Sequence, residues 1–241
     1  MGAIQISDLS AQLPAKAKIS VSNTGSQSVI DKVIEIPWAF VKSKFPNIDT
    51  SRLIVLDASG KNQLAFQFEK KGTDSIHNLL LQLSLAKGQT KSVTLSYGNR
   101  IVLPTRTYGR FVPERKEDFT WENDKIAFRM YGKELEKTPK ENAYGIDVWV
   151  KRTEKMVINE RYIRGKYHED IGDGLDYYHV GLTLGAGNCM PYVNDSIYYS
   201  KNYTSWKILD NGPLRTTFEL GYDVWDVNGK NVSATKNISI D

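Results

Sequence analysis

The sequence predicts an all-β protein of antiparallel strands, and three observations carry that prediction. Short segments of alternating apolar and polar residues recur along the chain and stop at Gly, Pro, Asn or Asp clusters. Only residues 38–45 look like a helical turn or two. Near the end, Asn228-Gly229 stands between two alternating segments, a strong short-range hairpin signal. With 241 residues there is room for one large β domain or two smaller ones. Two are expected, a small β-sandwich-like domain over residues 1–100 and a second β domain over 101–241.

In the first hundred residues the strand candidates are 18–23, 33–37, 53–57, 63–68, 79–83 and 92–97, separated by turns such as Thr24-Gly25-Ser26 and Ala58-Ser59-Gly60-Lys61. His77 sits at the mouth of a strand with no chemical partner nearby in sequence and reads as a surface or packing histidine. Residues 97–110, punctuated by Gly98, Pro104 and Gly109, read as the link to the second domain.

Residues 110–124 are dense in arginine, acid and tryptophan, and two readings stand. Alternating guanidinium and carboxylate groups make an ion-pair network that pins a linker, each exposed pair adding about 0–1 kcal/mol. Alternatively, Arg110 and Arg115, with Trp121 in the same run, present bidentate donors and an aromatic face to a carboxylate ligand.

Parity along the next strands is the most informative local signal. Ile126, Phe128 and Met130 share one face and Lys125, Arg129 and Tyr131 the other; Ile146, Val148 and Val150 oppose Asp147, Trp149 and Lys151; Leu214, Phe218 and Leu220 oppose Arg215, Thr217 and Glu219. The polar faces thus offer Arg129, Tyr131, Asp147, Trp149, Lys151 and Arg215. Sugars need that mixture, because a pyranose has an apolar C–H face for an aromatic ring and a rim of hydroxyls for directional donors and acceptors. The competing reading is a second sheet or loop that covers these aromatics while the charges pair among themselves.

Between these strands lies Tyr167-His168-Glu169-Asp170-Ile171-Gly172-Asp173-Gly174-Leu175-Asp176-Tyr177-Tyr178-His179, which holds two of the three histidines and fits neither strand nor helix periodicity. It reads either as a shaped functional loop or as a solvated turn with a tyrosine lid. His168, His179 and Tyr177 are the candidate bases, and Asp170 and Asp176 join the substrate-binding candidates. The spacing Asp170, Asp173, Asp176 lacks the pattern of an EF-hand, so calcium is only a weak expectation and no other cofactor is expected. The glycine-rich run from Gly181 to Asn188 has neither a following Gly-Lys-Ser/Thr nor dinucleotide spacing, and reads as backbone bending close past something bulky. Residues 196–203 and 205–209 read as a strand pair, and 222–227 lead through Asn228-Gly229 to a last strand over 232–240.

The net charge of +4 is spread along the chain, with no basic stripe of the kind nucleic acid needs. The single cysteine, Cys189, excludes an internal disulfide and a cysteine metal cluster, and reads as a small hydrophobe. No stretch is apolar and long enough for a membrane-spanning helix, and Met1-Gly2-Ala3 leads into no signal-peptide core. Because the alternation runs up to Asp241, the chain is expected to be the N-terminal portion of a longer protein.

The run from Glu114 to Gly132, together with Gly145-Ile146-Asp147-Val148-Trp149-Val150-Lys151-Arg152, the segment from Tyr167 to Gly187 and Ser200-Lys201-Asn202, resembles the bacterial family designated domain of unknown function 4861. The likeness extends over nearly the whole chain. It implies a secreted or periplasmic protein encoded near polysaccharide-degrading enzymes, with part of a large antiparallel two-sheet supersandwich similar to that of galactose mutarotase in the second domain. It implies no catalytic residues. Lys201, within Ser200-Lys201-Asn202, completes the substrate-binding candidates.

The expected function is binding, with processing by a lyase or glycoside hydrolase, of an acidic, uronic-acid-containing polysaccharide or oligosaccharide. The alternatives are a non-catalytic carbohydrate-binding module or a structural surface protein.

Overall fold

The computed structural model describes residues 16–165 and 168–241; the N-terminal Met1-Gly2-Ala3 and Tyr167 of the histidine-bearing stretch lie outside the described residues. The protein is all-β with antiparallel sheets, and the described residues include two short α-helices. It divides into two compact units, the first ending with Leu81–Val102 and the second made of Gln67–Leu80 and Leu103–Asp241.

The first unit contains β1 (Lys16–Ser22), β2 (Val29–Pro37), α1 (Trp38–Lys44) and β3 (Leu53–Leu56). The division falls at β4 (Phe66–Glu69) and inside β5 (Asn78–Leu85), and β6 (Thr90–Tyr97) returns to the first unit. Within the first unit one sheet has the strand order β1-β6-β3. Alternation gives this unit its core: Ala17 pairs with Leu95 and Ile19 with Val93, and all four are buried.

Residues 67–80, expected in the first domain, belong to the second unit. The amides of Lys70 and Lys71 each donate to the Asp210 carboxylate at 2.7 Å, and Gln67 donates to the Arg215 carbonyl at 2.9 Å. These long-range bonds satisfy backbone groups that sequence alternation cannot assign.

The second unit continues with β7 (Thr107–Val112), β8 (Asp118–Asn123), β9 (Ile126–Met130), β10 (Ile146–Lys151), α2 (Ile158–Arg164) and β11 (Gly174–Leu175). After β12 (Tyr192–Val193) and β13 (Ser196–Ile197) come β14 (Ser205–Asn211), β15 (Thr216–Val227) and β16 (Lys230–Ile240). One sheet has the order β11-β10-β9-β8-β7 and another β14-β15-β16. They pack face to face: Phe119, Trp121, Met130 and Ile146 of the larger sheet meet Phe218, Leu220, Tyr222 and Ile240 of the smaller, with the Phe119 and Phe218 rings 4.2 Å apart. Trp121, a substrate-binding candidate, is therefore a core residue, because its parity with Phe119 turns it inward.

Two local expectations change. Part of the expected link is strand β7, which pairs with β8. Residues 196–203 form only the two-residue β13, since Asn202 is tied elsewhere: its amide donates to Glu136 at 2.9 Å and its side chain to the Gly132 carbonyl at 3.0 Å. The predicted hairpin at Asn228-Gly229 forms, with φ of 52° and 80°. Among the described residues no helix is long and apolar enough to cross a membrane.

Candidate functional site

The register of β8, β9 and β10 places Thr120, Arg129 and Asp147 in one row and Glu122, Ala127 and Trp149 in the next, all on the face turned away from the inter-sheet core. Alternation predicts this shared face. It does not predict that the face is covered. Ile158 and Tyr162 of α2 pack with Val112, Ala127 and Trp149, and the Trp149 ring is wholly buried, with the guanidinium groups of Arg129 and Arg161 at 5.5 and 5.6 Å from its centre. Trp149 is thus no sugar platform, because its ring has no exposed face and two guanidinium groups already lie near it.

Two charged centres lie under this cover. In one, Lys151 donates to Glu122 at 2.7 Å and to the Asn123 carbonyl at 2.7 Å, while the amides of Val157 and Ile158 also donate to Glu122. Both side chains are sealed, so Lys151 is structural and not a ligand group.

In the other, Arg129 is bonded to Asp147, lies 3.7 Å from Asp176 and 3.9 Å from Asp118. Tyr131 donates to Asp147 at 3.2 Å, and Arg115 reaches Asp118 at 3.3 Å. Three carboxylates thus face two guanidinium groups. Burial pushes the Asp118 carboxyl up to about 6 against the pull of Arg129 and Arg115. Burial, then the neighbouring Asp147, raises that of Asp176 as well. Burial opposes the charge on Arg129, but Asp118 and Asp147 outweigh it and raise its pKa; burial pushes Tyr131 up to about 12. Asp147 has no surface of its own and acts by holding Arg129 and Tyr131.

This second centre forms part of a cleft of about 600 Å³, entirely within the second unit. Arg115, Arg129, Tyr131, His168, Asp176, Tyr177 and His179 all line it. The loop that brings the last four is held at both ends of its turn. Asp170 accepts the amides of Gly172 and Gly174 and pairs with Arg152 at 2.8 Å; Asp173 pairs with Arg161 and Arg164. Gly174, at φ 89°, passes so close to β10 that a Cβ would overlap the Val150 carbonyl. His168 Nδ1 lies 3.4 Å from the Asp176 carbonyl oxygen, and Tyr177 is exposed. Among the described residues no group of three His, Cys, Asp or Glu side chains is arranged to hold a metal ion.

The family model described as "Domain of unknown function (DUF4861)" matches residues 21–241. The chain belongs to this family. It is also 38% identical over 202 residues to "Uncharacterized protein P7" of Formosa agariphila, a match covering 78% of this chain and 51% of that protein. The chain therefore spans about half the length of this curated relative. No solved structure matches.

Several candidates in this DUF4861 chain stand apart from the cleft. Arg110 pairs with Glu114 at 2.5 Å and lies over the Tyr162 ring. Arg215 is held by Glu69 at 2.9 Å and Asp241 at 2.6 Å, because the end of β16 and the hairpin at 67–80 flank it. Asp170 stabilises its own loop, and Lys201 borders a separate hollow. The three polar strand faces thus do not converge as expected. Arg215 lies just before β15 of the smaller sheet, where its neighbours are Glu69 and Asp241. The glycine-rich run passes a backbone and not a bulky group: Ala186 donates to the Ile146 carbonyl at 2.7 Å. Cys189 is exposed, in an irregular segment with no core to enter.

Sequence reasoning missed Lys140, Glu141, Asn142 and Tyr178, which complete the cleft wall. Tyr178 stood within the histidine-bearing stretch. The other three lie between strands with no periodic signal.

Proposed function

We propose that this chain binds a uronic-acid-containing oligosaccharide or polysaccharide in the cleft and processes it as a lyase. The observation that carries this reading is the convergence of His168, His179 and Tyr177 with Arg115 around one hollow. In β-elimination a base removes the proton beside the uronate carboxylate, the electron pair forms a C4–C5 double bond, and the C4–O bond to the leaving sugar breaks as its oxygen takes a proton. His168, His179 or Tyr177 serves as base. Arg115 neutralises the substrate carboxylate, since Arg129 is already surrounded by Asp118, Asp147 and Asp176. Tyr177 and Tyr178 offer apolar faces to the sugar ring, and the volume falls within the range of small-ligand clefts. Location outside the cytoplasm belongs to the same proposal and is supported by the resemblance alone.

One observation favours glycoside hydrolysis as a second reading. Asp176 holds its proton to higher pH than an ordinary aspartic acid, as a general acid must, and Glu141 lines the same cleft as a second carboxylate.

The test is incubation of the chain with uronic-acid oligosaccharides while ultraviolet absorbance and reducing ends are followed. Unsaturated product supports the lyase. Reducing ends without it support the hydrolase. Binding without either makes the chain a carbohydrate-binding module, and no binding overturns the reading.

A further inference from the structure

We propose that a second hollow, formed by Lys133, Lys201, Asp223, Val224 and Trp225, is a distal binding site for a carboxylated or sulfated sugar of the polymer that occupies the cleft. This rests on the carbohydrate reading above. The hollow measures about 300 Å³ and lies within the second unit.

A β-bulge makes it. Tyr222 pairs with Ala234 and Trp225 with Val232, so Asp223 and Val224 together face a single residue of β16. The inward-facing parity switches there: Phe218, Leu220 and Tyr222 are buried before the bulge and Val227 after it. The two residues at the bulge are pushed outward, Asp223 as a carboxylate and Val224 as an exposed apolar side chain. Trp225 is half-buried against the inter-sheet core, and its indole N–H donates to the Tyr198 carbonyl at 3.3 Å, which fixes the ring at the hollow's edge.

The polar groups complement that apolar patch. Lys201 is exposed and has no ion-pair partner among the described residues. Lys133 lies 3.3 Å from Glu136 and 4.0 Å from Asp223, and Thr204 donates to Asp223 at 3.0 Å. A ring on Trp225 and Val224, hydroxyls to Asp223 and an acidic group to Lys201 and Lys133 use every lining residue.

The link to the cleft runs through one hydrogen-bonded residue. Lys201 adjoins Asn202, whose side chain donates to the Gly132 carbonyl at 3.0 Å and to Asn142 at 2.7 Å. Asn202 thereby ties Lys201 to both ends of the segment that starts at Lys133 and ends in the cleft wall at Asn142 and Ala143. A long polyanion can engage both places, whereas a disaccharide in the cleft cannot, so the second contact acts through effective concentration.

The experiment compares polygalacturonate with digalacturonate by calorimetry, using wild type, K133A/K201A and R115Q. We expect the double substitution to weaken polymer binding about tenfold and to leave disaccharide binding unchanged. In wild type, the polymer should protect Lys133 and Lys201 from an amine-reactive reagent, and the disaccharide should not. If K133A/K201A binds the polymer as wild type does while R115Q weakens it, the distal site is overturned and the cleft reading stands. Equal losses for both ligands also overturn it, and a wild type that binds neither overturns both readings.

Discussion

The two buried charged centres of the five-stranded sheet sit on the same face, yet they differ in balance and in access. Glu122 meets Lys151 one to one, and backbone groups occupy what remains of both. Arg129 instead faces three carboxylates with only Arg115 to help, and Asp176 and Arg115 border the cleft. The balanced, sealed pair has no capacity left for a ligand. The unbalanced centre carries surplus acid beside a hollow, and there burial, joined at Asp176 by the neighbouring Asp147, raises the carboxyl pKa values.

The largest test of this contrast is Lys151→Met. It leaves Glu122 buried without its cation, and we expect a stability loss of about 3–5 kcal/mol in urea unfolding. A loss below about 1 kcal/mol would remove the distinction between the centres.

Asp118→Asn comes next. Because the folded-state pKa of Asp118 is raised to about 6, its protonation favours folding fully below its unfolded value near 3.8, and that contribution is lost as pH rises through 6. Wild type minus variant stability should therefore increase from pH 7 to pH 4, on the order of 2–3 kcal/mol. A flat difference would show that Arg129 and Arg115 keep Asp118 ionised throughout.

A smaller effect is expected from Arg115→Gln, about 1 kcal/mol or less in stability, since its side chain is partly exposed, with a clear loss of uronate affinity by calorimetry. Loss of stability without loss of affinity would place Arg115 with the structural residues. Arg152→Ala, at the exposed pair with Asp170, should leave the unfolding midpoint unchanged, because the Gly172 and Gly174 amides still hold that carboxylate.

Much of this was legible from spacing. Alternation located most strands, the hairpin at Asn228-Gly229, and the common face of Arg129 and Asp147. The stretch around His168 and His179 was recognisable by composition, and it does line the cleft with Arg129. What composition gave for Trp121, and alternation for Trp149, Lys151 and Arg215, was a candidate without its neighbours. Trp121 meets the second sheet, Trp149 and Lys151 lie beneath α2 and its approach, and Arg215 meets Glu69 and Asp241.

Sequence alone determined which side chains share a face, because the two-residue period is a property of the extended backbone and needs no partner. Only the tertiary structure decided which of those faces meets solvent. That choice depends on segments far along the chain, α2 and the Asp170–Asp176 turn, whose placement follows from ion pairs and amide bonds that carry no periodic signal.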